Sequence, residues 1–283
     1  MAIVTFCSNG KEQTGKTMSI ASIATYMAIE HNMKILLIST SIKDSTLQNC
    51  FIARPNIKTL SFGMFAPRAG NNSAMQSGMT GLVRMARSNK VTPEMIRNYT
   101  RVVFNDALEI LYSGESEEIT EDITGYYPDI IRAASLYYDL VLIDLDKSIN
   151  YEIQREIINL SNLVVANLAQ KISCIDRFIQ ERKNDEILAS KKTMILIGRY
   201  DRYSKFTAKN ISRYMGEKKQ VLTIPYNTLL YDASEEAGVP DYFLNFVKNP
   251  NLDKEDRNYL FFQEIRRAVD SIQYRLQELQ AKF

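Results

Sequence analysis

Short runs of apolar, β-branched residues recur along the chain, and segments with helical spacing separate most of them. Seven runs read as buried strands: AIVTFCS (2–8), KILLIST (34–40), ALEILYS (107–113), LVLIDL (140–145), NLVVANL (162–168), TMILIGRY (193–200) and QVLTIP (220–225). Near-continuous apolar runs of this length mark strands buried on both faces of a parallel sheet. Between the first two, residues 17–31 set Ile20, Ile23, Ala24, Met27 and Ala28 on one helical stripe. Residues 128–137 form a helix opened by Pro128, a residue suited to the first turn, and 150–160, 174–189 and 204–215 supply the later helices. The alternation predicts an α/β fold of three layers, a mostly parallel sheet of seven or eight strands with helices on both faces. Right-handed crossovers then bring the strand C-terminal ends to one edge, where such sheets bind ligands.

Two regions depart from the alternation. Residues 62–106 begin with the turn-rich FAPRAGNNSAMQSG (65–78) and continue through MTGLVRMARSNK and VTPEMIRNY, which reads as a loop and helical insert on the binding edge. The acidic SGESEEITED (113–122) reads as a solvated connection. The expected organisation is one domain over 1–250 and a C-terminal helix over 251–283. That helix carries Phe262, Ile265, Val269, Ile272, Leu276 and Leu279 at 3-4-3-4-3 spacing, a heptad stripe. The stripe fits a helix docked on the domain, a dimerising or partner-binding coiled coil, or a helix lying on a membrane surface.

Composition narrows the chemistry. With 283 residues, 45% of them hydrophobic, the chain can bury a full core without disulfides or metal staples. Its three cysteines, Cys7, Cys50 and Cys174, are far apart and form no paired motif, which points to a reducing cytoplasmic setting. His31 is the sole histidine, which argues against a Ser-His-Asp triad or a multi-histidine zinc site. A net charge of +2 does not call for a polyanion as partner. No secretory signal and no membrane-spanning apolar run is visible.

The candidate chemistry lies where the first strand meets the first helix. In VTFCSNGKEQTGKTMS, Gly10, Gly15, Lys16 and Thr17 match the phosphate-loop pattern of two glycines separated by four residues and followed by Lys-Thr. The strand before it and the amphipathic helix after it are the context this motif needs. Gly10, Lys11, Glu12, Gln13, Thr14, Gly15, Lys16, Thr17 and Met18 would form the cradle, with backbone N–H groups on the β-phosphate and the helix dipole adding positive potential. Lys16 would reach the β- and γ-phosphates of ATP, and the Thr17 hydroxyl would bind Mg²⁺. A second acid is expected at the end of a neighbouring strand, and LVLIDLD supplies Asp144 as the residue on the Mg²⁺ side. Asp146 is open between a supporting acid and an ordinary loop residue.

Lys11, Gly15, Lys16 and Thr17 resemble the deviant Walker A signature of the ParA/MinD/nitrogenase-iron-protein group of ATPases, and KILLISTSIKDSTL resembles that group's switch strand. The resemblance extends over about residues 1–245. It implies a homodimer closed through the nucleotide face, with Lys11 crossing to the partner's phosphates, so Lys11 joins Lys16 among the catalytic residues. Two departures bear on activity. The signature's paired glycines are Glu12 and Gln13, and Ser39 and Ser41 stand where the family has D-x-D; Asp44 is the candidate substitute. The resemblance then implies nucleotide binding with slow hydrolysis. At the base end it assigns Arg199, Tyr200, Pro225, Tyr226 and Asn227 to the adenine, with Gly198 in place of a family asparagine.

GLVRMARSNKVTPEMIRNYT and GRYDRYSKFTAKNISRY are similar to the TadZ/CpaE branch, which serves Flp/Tad pilus secretion machinery. That branch usually carries an N-terminal receiver-like domain, whereas this sequence starts at the phosphate-loop strand. The implied role is a positional switch with weak ATPase activity, recruited to a pole or membrane surface by a protein of the pilus machine. Two alternatives stay open. The basic series Arg199, Arg202, Lys205, Lys209 and Arg213, at 3-3-4-4 spacing, would line a helix face for non-specific DNA in a partition ATPase. A metabolic P-loop enzyme of the same fold is the other.

Overall fold

The computed structural model of the chain describes residues 1–9, 12–53, 78–88, 90–112, 121–190, 192–217, 221–248 and 256–281. Eight strands form one sheet: β1 (Ala2–Ser8), β2 (Ile35–Ser39), β3 (Arg101–Phe104), β4 (Leu108–Leu111), β5 (Leu140–Asp144), β6 (Leu163–Leu168), β7 (Thr193–Tyr200) and β8 (Leu222–Pro225). Their order is β3-β4-β2-β5-β1-β6-β7-β8, and every pairing is parallel except the antiparallel β3–β4 hairpin. The seven strands read from the sequence are all present, and the sheet is mostly parallel as expected. The eighth, β3, falls inside the segment read as loop and helix. It is four residues long, it sits at the sheet edge, and its turn holds Asp106 at φ 57, a left-handed conformation that aspartate tolerates better than most residues.

The helices in chain order are α1 (Lys16–Glu30), α2 (Thr46–Asn49), α3 (Met79–Ala86), α4 (Pro93–Tyr99), α5 (Glu121–Thr124), α6 (Tyr127–Ala134), α7 (Tyr151–Leu160), α8 (Ile172–Asn184), α9 (Glu186–Ala189), α10 (Ala208–Met215), α11 (Thr228–Glu235), α12 (Val239–Lys248) and α13 (Arg257–Gln280). One face of the sheet packs against α1, α2, α11, α12 and α13, and the other against α3 to α10. Alternation along each strand divides the core between the layers. Ile35, Leu37, Leu140 and Leu142 face the α1 side, while Leu36, Ile38, Val141 and Ile143 face the opposite side. This period-2 division is why the runs must be apolar throughout.

Local signals set the helix ends. Thr92 caps α4 ahead of Pro93, and Asn150 caps α7. Asp185 interrupts the helix expected over 174–189: its side chain accepts from the N–H groups of Ile187 and Leu188 and restarts the chain as α9. The turn 201–206 delays α10 until Ala208, where Thr207 caps it. The heptad stripe of α13 is buried from Phe262 to Leu276, with Leu279 partly buried. Phe262, Ile265, Val269, Ile272 and Leu276 enter the same core cluster as α1, and Thr223 on β8 donates to Glu264 at 2.6 Å. Residues 65–77 and 113–120, named above as flexible and acidic segments, lie outside the described residues.

Candidate nucleotide site

The C-terminal ends of β1, β2, β5, β7 and β8 converge on the loop that joins β1 to α1. Gly15 has φ 73, and a Cβ there would lie 2.8 Å from Arg199 Cγ, so the position needs glycine on two counts. The next residue begins α1. No side chain caps this helix, and its first turn holds no acid. Its N-terminal N–H groups and the positive end of its dipole therefore face the loop uncompensated, as an anion site requires.

Two side chains from that first turn meet Asp144 at the end of β5. Lys16 Nζ stands 2.8 Å from Asp144 Oδ1 and donates its hydrogen bond to the Leu145 carbonyl oxygen. Thr17 Oγ1 donates to Asp144 Oδ2 at 2.9 Å. Asp144 is buried, and its carboxylate is met by the Lys16 ammonium on Oδ1 and the Thr17 hydroxyl on Oδ2. Thr17, by donating to the carboxylate, keeps its own lone pairs for a cation. Among the described residues no group of three or more His, Cys, Asp or Glu side chains forms a metal cage. The donor set fits Mg²⁺, which takes few protein ligands and completes its shell with water and phosphate oxygens.

A small cavity of about 80 Å³ opens beside this cluster, walled by Lys16, Thr17, Ser39, Ser41, Asp44 and Asp146. Thr40 ties the ends of β2 and β5 together next to it. Its N–H and hydroxyl both donate to the Asp144 carbonyl oxygen, at 3.2 and 3.1 Å, and its hydroxyl oxygen accepts from Asp146 N–H at 2.8 Å. Burial raises the pKa of the Asp146 carboxyl, but hydrogen bonds from Ser148 and Ser41 and the charge of Lys16 outweigh it and hold the group below the usual aspartate value. Asp44 lies at the rim. Its carboxylate accepts from Thr46 N–H at 2.8 Å and from the Thr46 hydroxyl, so it is turned to the start of α2. A larger hollow of about 490 Å³ flanks the loop between α7 and α8, with Asn9, Lys147 and Glu181 among its walls. Burial there pushes the Cys7 thiol up to about 11, which leaves it an unreactive packing residue.

The loop's opening half is held differently. Glu12 accepts two hydrogen bonds from Arg177 on α8, at 2.8 and 3.1 Å, and Gln13 Oε1 accepts from Arg199 Nη1 at 2.7 Å. Both side chains are thus engaged by arginines on flanking elements. Arg199 has φ 50, and its guanidinium lies 5.4 Å from the centre of the Tyr226 ring, which is half exposed. Arg199 and Tyr226 form a platform on which a planar base can stack. Pro225 ends β8 next to it and pairs in register with Tyr200. Tyr200 turns to the other face: its ring packs in the cluster containing Phe206, and its hydroxyl accepts from Ala208 N–H. Asn227 caps α11 and donates to Asn258, which occupies its polar atoms within the fold. Met18 packs on the α1-side core beside Cys50. Gly10 and Lys11 lie outside the described residues.

One contributor was missed by the sequence reading, and a second was named there without its structural reason. Asn167, at the end of β6, is fully buried and donates to the Thr14 carbonyl oxygen at 2.8 Å, tying the loop to the sheet. An asparagine inside the apolar run NLVVANL was the available signal. Gly198 is the second: a Cβ there would lie 2.2 Å from Thr14 O and 2.8 Å from Asn167 Nδ2, so this is a close-approach position beneath the loop. The basic series also needs correction. β7 runs to Tyr200 and a turn follows, so Arg199, Arg202 and Lys205 do not share a helix face with Lys209 and Arg213.

The architecture and the loop define the class: an α/β P-loop NTPase fold arranged as in the ParA and MinD ATPases. No family model and no curated protein sequence matches the chain. Among solved structures, the cell division ATPase MinD of Pyrococcus furiosus aligns with a TM-score of 0.64 over 96% of this chain and 100% of that one, at 14% identity. MinD of Pyrococcus horikoshii, in complex with Mg-ADP, gives 0.64 over 96% of each chain at 14% identity. A plasmid partition protein of Borrelia burgdorferi bound to AMPPNP gives 0.57 over 99% and 98% at 16% identity. At these identities the likeness is one of fold.

Proposed function

We propose that the chain is an ATP-binding positional switch with slow hydrolysis, in which two copies close through their nucleotide faces. The observation that carries this reading is the Lys16–Asp144–Thr17 cluster at an uncapped helix N-terminus, in a fold shared with ATPases. The α1 N–H groups and Lys16 bind the phosphates, and Lys16 leaves Asp144 to do so. Thr17 and Asp144 would hold Mg²⁺, which would supply charge neutralisation to the phosphates when bound. Arg199 and Tyr226 orient the base. Ser39 and Ser41 lack the carboxylates that would orient an attacking water, and Asp44 has its carboxylate bonded to Thr46, which supports slow turnover. Lys11 is assigned to the partner's phosphates by resemblance alone.

In its finer form the proposal is a cytoplasmic protein that localises or assembles a Flp/Tad pilus secretion machine through a protein partner at a pole or membrane surface. Its support is the sequence similarity of the 81–100 and 198–214 segments. Among the described residues no helix is long and apolar enough to cross a membrane. Light scattering in the apo, ADP and ATP states, repeated with Lys11→Ala and Lys16→Ala, tests the switch. An ATP-dependent dimer abolished by both changes is expected, and a dimer indifferent to nucleotide would overturn it.

A second reading, a DNA-partition ATPase, is favoured by one observation. Arg202, Lys205, Lys209 and Arg213 are all exposed in a segment that also exposes Tyr203 and Tyr214, at 83% and 54%, and Arg202 lies 4.9 Å from the Tyr203 ring. ATP-dependent retention of DNA at low salt, steeply lost as salt rises, would establish it.

A further inference from the structure

We infer that α8 is a splint for the opening half of the phosphate loop, with Arg177 as a positioning residue for nucleotide binding; this rests on the reading of residues 10–17 as a nucleotide site. Two anchors one helical turn apart on α8 carry it. At the first, Asn9 Nδ2 donates to the Cys174 carbonyl oxygen at 3.0 Å and Cys174 Sγ donates back to Asn9 Oδ1 at 3.0 Å, both contacts buried. At the second, the Arg177 fork grips both carboxylate oxygens of Glu12. Residues 174 and 177 are three apart and so share a helix face. Asn9 and Glu12 are therefore both tied to one rigid element, and Arg199 holds the next residue, Gln13.

The chemistry explains why a splint is needed. An ionised carboxylate beside a polyphosphate is repulsive. Hydrogen bonding to Arg177 holds the Glu12 carboxyl below its usual range, so it is ionised at neutral pH and cannot escape the conflict by taking a proton. The planar two-pronged pairing both neutralises that charge and fixes where it points. Glycines at residues 12 and 13 would present no side chains to control. Glu12 thus makes the loop depend on Arg177, and without Glu12 that dependence disappears.

The test is calorimetric titration of the full chain with Mg-ATP and Mg-ADP. Arg177→Glu is expected to weaken binding about tenfold, by placing a second carboxylate beside the first. In a Glu12→Gly background the same Arg177→Glu change is expected to cost less than about twofold, because the charge it restrains is gone. Arg177→Lys, which keeps the charge and loses the fork, should fall between wild type and Arg177→Glu. The melting temperature of nucleotide-free Arg177→Glu should match wild type, since the pair is exposed. Arg177→Glu binding as wild type, or weakening equally with and without Glu12, would overturn the inference and leave the nucleotide reading intact. Wild-type protein that takes up neither nucleotide would overturn both.

Discussion

The two halves of the loop between β1 and α1 are held by different kinds of bond. The closing half, from Thr14 to Thr17, is fixed by backbone geometry and by β5, β6 and β7: Gly15 in a left-handed conformation, Asn167 on the Thr14 carbonyl, and Lys16 and Thr17 on Asp144. Those atoms are the ones phosphate and magnesium require. In the opening half, Asn9, Glu12 and Gln13 are held by side chains of other elements, Cys174, Arg177 and Arg199. The contrast teaches that a phosphate loop can keep its chemistry in one half while the other accepts bulky residues, provided neighbouring elements restrain them.

Substitutions can break this contrast, starting with the closing half. Lys16→Ala should reduce Mg-ATP affinity more than about 100-fold, by removing a charged phosphate contact from the site. It also leaves Asp144 buried without its cation, which should lower apo stability by about 3 kcal/mol in chemical denaturation. Gly198→Ala comes next. Its Cβ would collide with Thr14 O, and the displaced loop should cost about 2 kcal/mol of stability together with nucleotide affinity. Asn167→Ala strips the Thr14 carbonyl of its amide donor and should cost about 1–2 kcal/mol, read in the same denaturation experiment. At the base end, Tyr226→Ala should weaken ATP about tenfold while leaving inorganic triphosphate binding unchanged, a split that isolates stacking from phosphate contacts.

The smallest effect concerns pH. The Asp146 pKa is lowered in the folded chain, so its ionised form contributes stability at pH values above the ordinary aspartate value of 3.8, and that contribution fades as pH falls through the lower folded value. Asp146→Asn should therefore be less stable than wild type at neutral pH, with the gap closing in acid. A gap that persists unchanged to pH 2 would show that the residue acts through packing instead.

Patterns with a period or a fixed spacing were legible in the sequence. Seven strands followed from apolar runs, and Gly15, Lys16, Thr17 and Asp144 from the motif and the acid ending a buried run. What escaped depends on tertiary proximity. Nothing local links Glu12 to Arg177 or Gln13 to Arg199, which are 165 and 186 residues apart. The resemblance grouped Tyr200 with Arg199 at the base end, yet successive strand residues face opposite ways, and Tyr200 packs under α10 instead. β3 is too short and too exposed to announce itself by hydrophobicity, since Val102 faces solvent. Gly198 looked like a lost asparagine until the Thr14 carbonyl was seen to occupy its side-chain space.

The central claim is that this chain binds nucleotide through the phosphate loop. Calorimetric titration of wild-type protein with Mg-ATP, alongside Lys16→Ala, tests it most directly. The account predicts saturable binding to one site per chain in the wild type and no detectable heat in the variant. Equal heats from both proteins, or none from either, would contradict it.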